Sequence, residues 1–110
     1  MLLRQHLRVF LVLNLNEKGM TIREFQELIR KAYFERDSKR GLFKTWLWLQ
    51  EEIGELAKAI RKGDMENIAE EIADVIAWTV SVANLLGIDV ENAIIKKYVP
   101  PPTKHFEEEE

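Results

Sequence analysis

The sequence predicts an all-α protein, folded as an antiparallel helical bundle. Apolar residues recur at three- and four-residue spacing from Ile22 onward, and Gly63, Gly87 and Pro100 stand where these periodic segments end. No run of alternating apolar residues demands a sheet. With 110 residues the chain is long enough to bury one core but not two, so we expect a single domain.

The first helix is predicted from Ile22 to about Glu35. Thr21 and Glu24 have the spacing of a capping box. The apolar residues that follow at helical spacing are Phe25, Leu28, Ile29, Ala32 and Tyr33. The polar segment 37–41 is expected to break this helix.

Two long helices should follow as a tight hairpin. The second runs from Leu42 to Lys62 and ends at Gly63, which suits a left-handed cap position. Asp64 is a natural N-cap for the third helix, from Met65 to Leu86. So short a connection requires the two helices to lie antiparallel.

A fourth, shorter helix is predicted after Gly87. Asp89 is its expected N-cap, and Pro100-Pro101-Pro102 prevents its continuation. The sequence therefore divides into an N-terminal extension (1–19), a helical domain (20–99) and a Pro-rich, acidic tail (100–110).

The extension has two open interpretations. Its apolar stretch Val9–Leu13 resembles a signal peptide, but it lacks a small-residue cleavage site and is too short to span a bilayer. Either it belongs to the protein, or Met20, just before the capping box, is the true start. Residues 8–13 could form a strand or a short helix.

Composition excludes several classes of function. The net charge of −3 gives no electrostatic reason to bind nucleic acid or an anionic membrane, so neither is expected as a partner. The absence of Cys excludes a disulfide framework, a thiolate zinc site and a cysteine nucleophile, and makes the cytoplasm the default location.

Acidic residues on the second and third helices form the candidate site. Helical projection places Trp48, Glu52 and Glu55 on one stripe, with Glu51 beside it. On the third helix Glu71 interrupts an apolar stripe, and Asp74 projects close by. The members of that stripe are Ile68, Glu71, Val75, Trp78, Val82 and Leu85.

An antiparallel pairing would bring Glu52 and Glu55 opposite Glu71 and Asp74. Partly buried carboxylates at such distances repel one another unless a cation joins them. All-oxygen ligands without His or Cys favour Mg²⁺, and Mn²⁺ is a plausible substitute. The alternative, an ordinary solvated helix face, is favoured for Glu51 but not for Glu71 and Asp74, because of the apolar stripe.

The two acidic motifs resemble those of a known family. The run from Trp48 to Leu56, followed by Glu71–Val75, is similar to the EExxE and ExxD signature of MazG-like nucleotide pyrophosphohydrolases, and the similarity covers about Ile22 to Tyr98. The resemblance implies the all-α NTP pyrophosphatase fold, completed by assembly into a homodimer or homotetramer.

The same resemblance implies a function and the residues that perform it. Glu52, Glu55, Glu71 and Asp74 would hold magnesium. The enzyme would cleave a nucleoside triphosphate to the monophosphate and pyrophosphate, in some relatives to remove unwanted nucleotides. Glu51, or one of the ligating glutamates, could orient or deprotonate the water.

Residues that contact the substrate are less clearly defined. Trp48 could stack on a base or pack in the core, whereas Trp46 and Trp78 are expected in the core. Lys97 matches a basic position that the family directs toward phosphate, and Arg40 or Lys44 could also reach it. Surface charge is the alternative for all three.

Two other functions fit the same sequence. A non-catalytic interaction module would use the acidic stripe to bind a basic partner and would need no divalent ion. A nucleotide-sensing module would share the ligands but retain intact triphosphate. Analysis of the reaction products distinguishes the three.

Overall fold

The computed structural model describes residues 19–100. Within this range the chain forms helices and no strand, which confirms the all-α prediction. The helices are α1 (Ile22–Arg40), α2 (Leu42–Lys62), α3 (Met65–Leu86) and α4 (Val90–Tyr98). The predictions for the extension before residue 19, including its strand or short helix, and for the tail beyond residue 100 lie outside the described residues.

Helix α1 begins as predicted but ends later. Thr21 Oγ1 accepts from the Glu24 N–H (3.0 Å), and the Glu24 carboxylate accepts from the Thr21 N–H (2.7 Å), which completes the capping box. The predicted break after Glu35 is wrong. Asp37 stays helical because its side chain is buried, and its Oδ1 atom lies 2.8 Å from Arg40 Nη1. The helix ends instead at Gly41, which has a φ of 89°.

The predicted hairpin of α2 and α3 is present with the expected bounds. Gly63 adopts φ 77° and donates its N–H to the Ala59 carbonyl (3.0 Å). The Asp64 carboxylate accepts from the N–H groups of Glu66 (3.2 Å) and Asn67 (3.4 Å), so the N-cap of α3 is also confirmed. The turn therefore fixes the facing positions of the two longest helices.

The core lies mainly between α1 and α3. Ile29 and Tyr33 of α1 are buried against Ala77 and Val80 of α3. Trp78 is only 1% exposed, as predicted, but the prediction that Trp46 lies in the core is wrong, because 44% of it is exposed. The Trp46 ring stacks instead on Phe43 of the same helix.

Side-chain hydrogen bonds and an ion pair connect helix α4 to α1. The Gln26 amide donates to the Ile88 carbonyl (2.7 Å) and to Asn84 Oδ1 (3.0 Å), and its oxygen accepts from the Val90 N–H (2.9 Å). Arg23 Nε pairs with the α4 N-cap Asp89 at 2.9 Å. These contacts hold the end of α3 and the start of α4 against α1.

The long helices also leave large apolar side chains exposed. On α2 these include Phe43, Trp46, Ile53 and Ile60, and on α3 they include Met65, Ile72 and Ile76.

Among residues 19–100 no single helix is long and apolar enough to cross a membrane. Helices α3 and α4 taken together reach the length and the apolar composition of a membrane span, but they are bent by 101° relative to each other.

Candidate metal centre

Three carboxylates meet between α2 and α3. Oxygen atoms of Glu52, Glu71 and Asp74 lie within 4.8 Å of one another, and all three residues are partly buried. Glu71 and Asp74 are three positions apart on α3, so they project to the same side, and the antiparallel hairpin places Glu52 opposite them. We call this group the carboxylate trio.

Two predicted members of the site lie beside the trio. Glu55 is exposed, one turn after Glu52, and is outside the group of mutually close oxygens. Its negative charge nevertheless raises the pKa of Glu71. Glu51 is exposed and adjacent to Glu52 in the chain.

Glu71 lies in an electrostatically unfavourable environment. Burial of its side chain is the main cause that raises its pKa, and the negative charge of Asp74 adds to it. Its Oε2 atom is buried and has no hydrogen-bond partner among the described residues. A buried, unpartnered carboxylate oxygen beside other carboxylates is the donor set that a hard divalent cation would satisfy.

Two tryptophans lie one turn from the trio. The rings of Trp48 and Trp78 are stacked, with centroids 6.2 Å apart and an interplanar angle of 17°. Trp78 is buried, whereas 43% of Trp48 is exposed. Trp48 therefore packs on the core and also presents open surface.

The predicted phosphate-binding cations occupy three different settings. Arg40 is paired with Asp37, and its guanidinium lies 5.1 Å from the Trp78 ring centroid. Lys44 is exposed on α2. Lys97 is exposed on α4, with its ammonium 5.2 Å from the Tyr98 ring centroid. Only Arg40 is thus tied to the aromatic pair next to the trio.

Sequence reasoning missed Asp37, which it assigned to a helix break. Asp37 is only 2% exposed, and its Oδ2 atom is buried without a hydrogen-bond partner among the described residues. A signal was present, since Ile29, Tyr33 and Asp37 follow one another at four-residue steps along the buried side of α1.

The fold and the trio define a class: a helical protein with an acidic hairpin suited to a divalent cation. The family model described as the MazG nucleotide pyrophosphohydrolase domain matches residues 42–100 of the sequence, which is more than half of the chain. The chain therefore belongs to this family, which confirms the predicted resemblance. The match includes the whole of α2, α3 and α4 and excludes α1. The comparison with curated proteins gives no match.

Proposed function

We propose that the chain is a magnesium-dependent nucleoside triphosphate pyrophosphohydrolase. The observation that carries the proposal is the carboxylate trio within a domain of the MazG family. Helical proteins often have acidic faces, but those faces are ordinarily solvated. Here the acidic side chains are partly buried, and one carboxylate oxygen has no hydrogen-bond partner within residues 19–100.

Glu52, Glu71 and Asp74 would hold the ion, with Glu55 as the proposed fourth ligand. Mg²⁺ prefers oxygen ligands and keeps part of its water shell, which suits an all-carboxylate group at the edge of a hairpin. Mn²⁺ has similar ligand preferences and should substitute. When bound, the ion supplies charge neutralisation for the triphosphate and polarisation of water.

The proposed reaction breaks the anhydride bond between the α- and β-phosphoryl groups. A water oxygen forms the new bond to the α-phosphorus, the bridging oxygen leaves with pyrophosphate, and the nucleoside monophosphate remains. The water proton needs an acceptor, and we propose the exposed carboxylate of Glu51, which directly precedes the proposed ligand Glu52.

The three basic residues are proposed to contact phosphate oxygens to different extents. Lys44 and Lys97 are exposed and can move toward a bound triphosphate. Arg40 would have to compete with its pairing to Asp37 at 2.8 Å. We therefore expect the lysines to contribute more than Arg40 to binding the polyphosphate.

Self-association is part of the proposal. The exposed apolar side chains along α2 and α3 would be covered if a second copy packed against them. We propose a homodimer, or a homotetramer built from two such dimers.

Pyrophosphate release from a panel of ribo- and deoxynucleoside triphosphates, with and without Mg²⁺, tests the proposal. We expect metal-dependent release by the wild type and a loss of at least about 100-fold in Glu71→Gln, the scale on which electrostatic groups of active sites act. Glu35→Gln is the matched control, because Glu35 is an exposed α1 residue whose ion pair within residues 19–100 is with Lys39, at 3.5 Å.

The outcome also separates the alternative functions. Release of pyrophosphate from modified or deoxy substrates in preference to the common ones would support removal of unwanted nucleotides. Binding of intact triphosphate without release would indicate a sensor. Neither binding nor release, with the protein folded and Mg²⁺ present, would contradict the proposal and favour an interaction module.

A further inference from the structure

A column of side chains leads from the buried Asp37, near the end of α1, to the surface of α2. Asp37 holds Arg40 at 2.8 Å, the Arg40 guanidinium lies 5.1 Å from the Trp78 ring centroid, and Trp78 stacks on Trp48. The column joins three helices. Asp37 and Trp78 are buried, Arg40 is partly buried, and the outermost member, Trp48, is open to solvent.

The column ends beside the carboxylate trio. Trp48 precedes Glu52 by four residues, and Trp78 follows Asp74 by four. Because α2 and α3 run antiparallel, both indoles lie at the same end of the trio. Four residues of helix correspond to about 6 Å along the axis, which leaves room for a sugar between a group at the trio and a ring on Trp48.

Trp48 is held in place without being covered. The parallel stack on Trp78 restricts the Trp48 ring, and the charge of Arg40 restricts Trp78 in turn. Even so, 43% of Trp48 remains exposed. An indole that is stacked on another ring and partly exposed presents a planar surface at a low cost in conformational entropy, the property that aromatic platforms use to bind bases.

We propose that Trp48 is the platform on which the nucleobase of the substrate stacks. The inference rests on the proposed function and adds the part of the ligand that the carboxylates cannot recognise. The substrate class is then a nucleotide with its phosphates at the trio and its base on Trp48. Asp37 is a positioning residue, which acts on the base only through Arg40 and Trp78.

The test compares two tryptophans of α2. Trp48→Leu removes the aromatic face but keeps apolar contact with Trp78, and Trp48→Phe keeps a smaller aromatic face. Trp46→Leu is the matched control, because Trp46 is 44% exposed on the same helix but its ring stacks on Phe43, with centroids 6.1 Å apart. Thermal unfolding and solution mass show whether each variant folds and assembles like the wild type.

The main measurement is the affinity for a nonhydrolysable α,β-imido nucleoside triphosphate with Mg²⁺. We expect Trp48→Leu to bind about 5- to 150-fold more weakly, the range for loss of one base–aromatic stack. Trp48→Phe should recover most of the affinity, and Trp46→Leu should stay within about twofold of the wild type. Inorganic tripolyphosphate, which has no base, should bind equally to the wild type and to Trp48→Leu.

The outcomes separate this inference from the proposed function. Unchanged affinity of Trp48→Leu for the imido nucleotide would overturn the platform, as would an equal loss for tripolyphosphate, since Trp48 would then act on the phosphate site. An equal loss in Trp46→Leu, with the fold and the solution mass unchanged, would overturn it as well. Failure of the wild type to release pyrophosphate would refute the enzyme, while the imido-nucleotide series would still test the platform.

Discussion

At the scale of single residues, the position of Glu71 carries the most information. It occupies a place on α3 where the helical pattern calls for an apolar side chain, and the fold buries part of it close to Glu52 and Asp74. Burial and neighbouring negative charge both raise its pKa. The chain thus retains a destabilising group, which is understandable if a cation completes the site.

Glu71→Gln should separate the effect of the carboxylate on the stability of the fold from its proposed role in binding metal. Because the folded-state pKa is raised, the folded protein binds this proton more tightly than the unfolded chain, and stability falls as pH rises through the folded pKa. At pH 7 without metal, Glu71→Gln should be more stable than the wild type, by roughly 0.5 kcal/mol or about 2–4 °C in Tm. Differential scanning calorimetry measures this.

Magnesium should reverse the order. An ion at about 100 times its Kd adds about 2.7 kcal/mol to the stability of a protein that binds it only when folded. We expect this gain for the wild type and its loss for Glu71→Gln. A wild type whose Tm is the same with Mg²⁺ and with a chelator would contradict the metal site.

How far sequence predicts the candidate site depends on the residue. The helical period fixes where Glu71 and Asp74 point, and the hairpin fixes what lies opposite, so the closeness of Glu52 could be predicted. Helical projection misassigns Trp46 to the core and leaves Trp48 undecided, because both are large aromatics on a helix with apolar residues on several sides. Only the ring stack on Trp78 shows that Trp48 packs on the core, although both indoles are similarly exposed.

At the scale of secondary-structure elements, the ends of the helices follow from local chemistry with one exception. Gly63 and Asp64 define the hairpin because a left-handed cap and an N-cap each satisfy backbone groups that the helices leave open. The end of α1 escaped prediction because Asp37 resembles a breaker in sequence, and only the folded chain buries it beside Arg40.

The Asp64 cap should be measurable on its own. Asp64→Ala removes the acceptor for the N–H groups of Glu66 and Asn67, which should cost about 1 kcal/mol, or about 4–8 °C in Tm. Asp64→Asn keeps a side-chain acceptor and should differ little from the wild type. Equal losses in the two variants would show that charge rather than capping stabilises this end of α3.

The junction of α1 and α4 should depend on pH. The hydrogen bond from Arg23 is the main cause that lowers the pKa of Asp89, and the Asn92 N–H adds to it. A carboxylate with a lowered pKa stabilises the fold at pH values above its unfolded-state pKa, and this stabilisation is lost as the pH falls through its folded-state pKa. Arg23→Gln should therefore lower the Tm by the largest amount at pH 7 and by less below about pH 4.

Arg30→Gln is the control for this junction. Arg30 pairs with Glu27 within α1, so its loss leaves the contact between elements intact. Thermal unfolding monitored by circular dichroism from pH 7 to pH 3 compares the variants. A Tm difference for Arg23→Gln that stays constant across this range would exclude Asp89 as its source.

At the scale of the whole molecule, the exposed apolar side chains of the long helices predict self-association. Ile76→Glu places a charge among the exposed apolar side chains of α3, where Ile76 is 50% exposed, and should reduce the solution mass toward the 12.9 kDa of one chain. Glu35→Arg, an exposed change of charge on α1, should leave the mass unchanged. Light scattering after size exclusion measures both, and a wild type already at 12.9 kDa would refute the assembly.

The tight turn at Gly63 and Asp64 also has a kinetic consequence. Glu71 follows Glu52 by only 19 positions, so a short loop closure brings the carboxylates together early on the folding route. Their repulsion should then raise the folding barrier, and Mg²⁺ should lower it, accelerating refolding while leaving the unfolding rate nearly unchanged. Stopped-flow refolding of the wild type and Glu71→Gln would show whether the ion guides formation of the hairpin before any substrate binds.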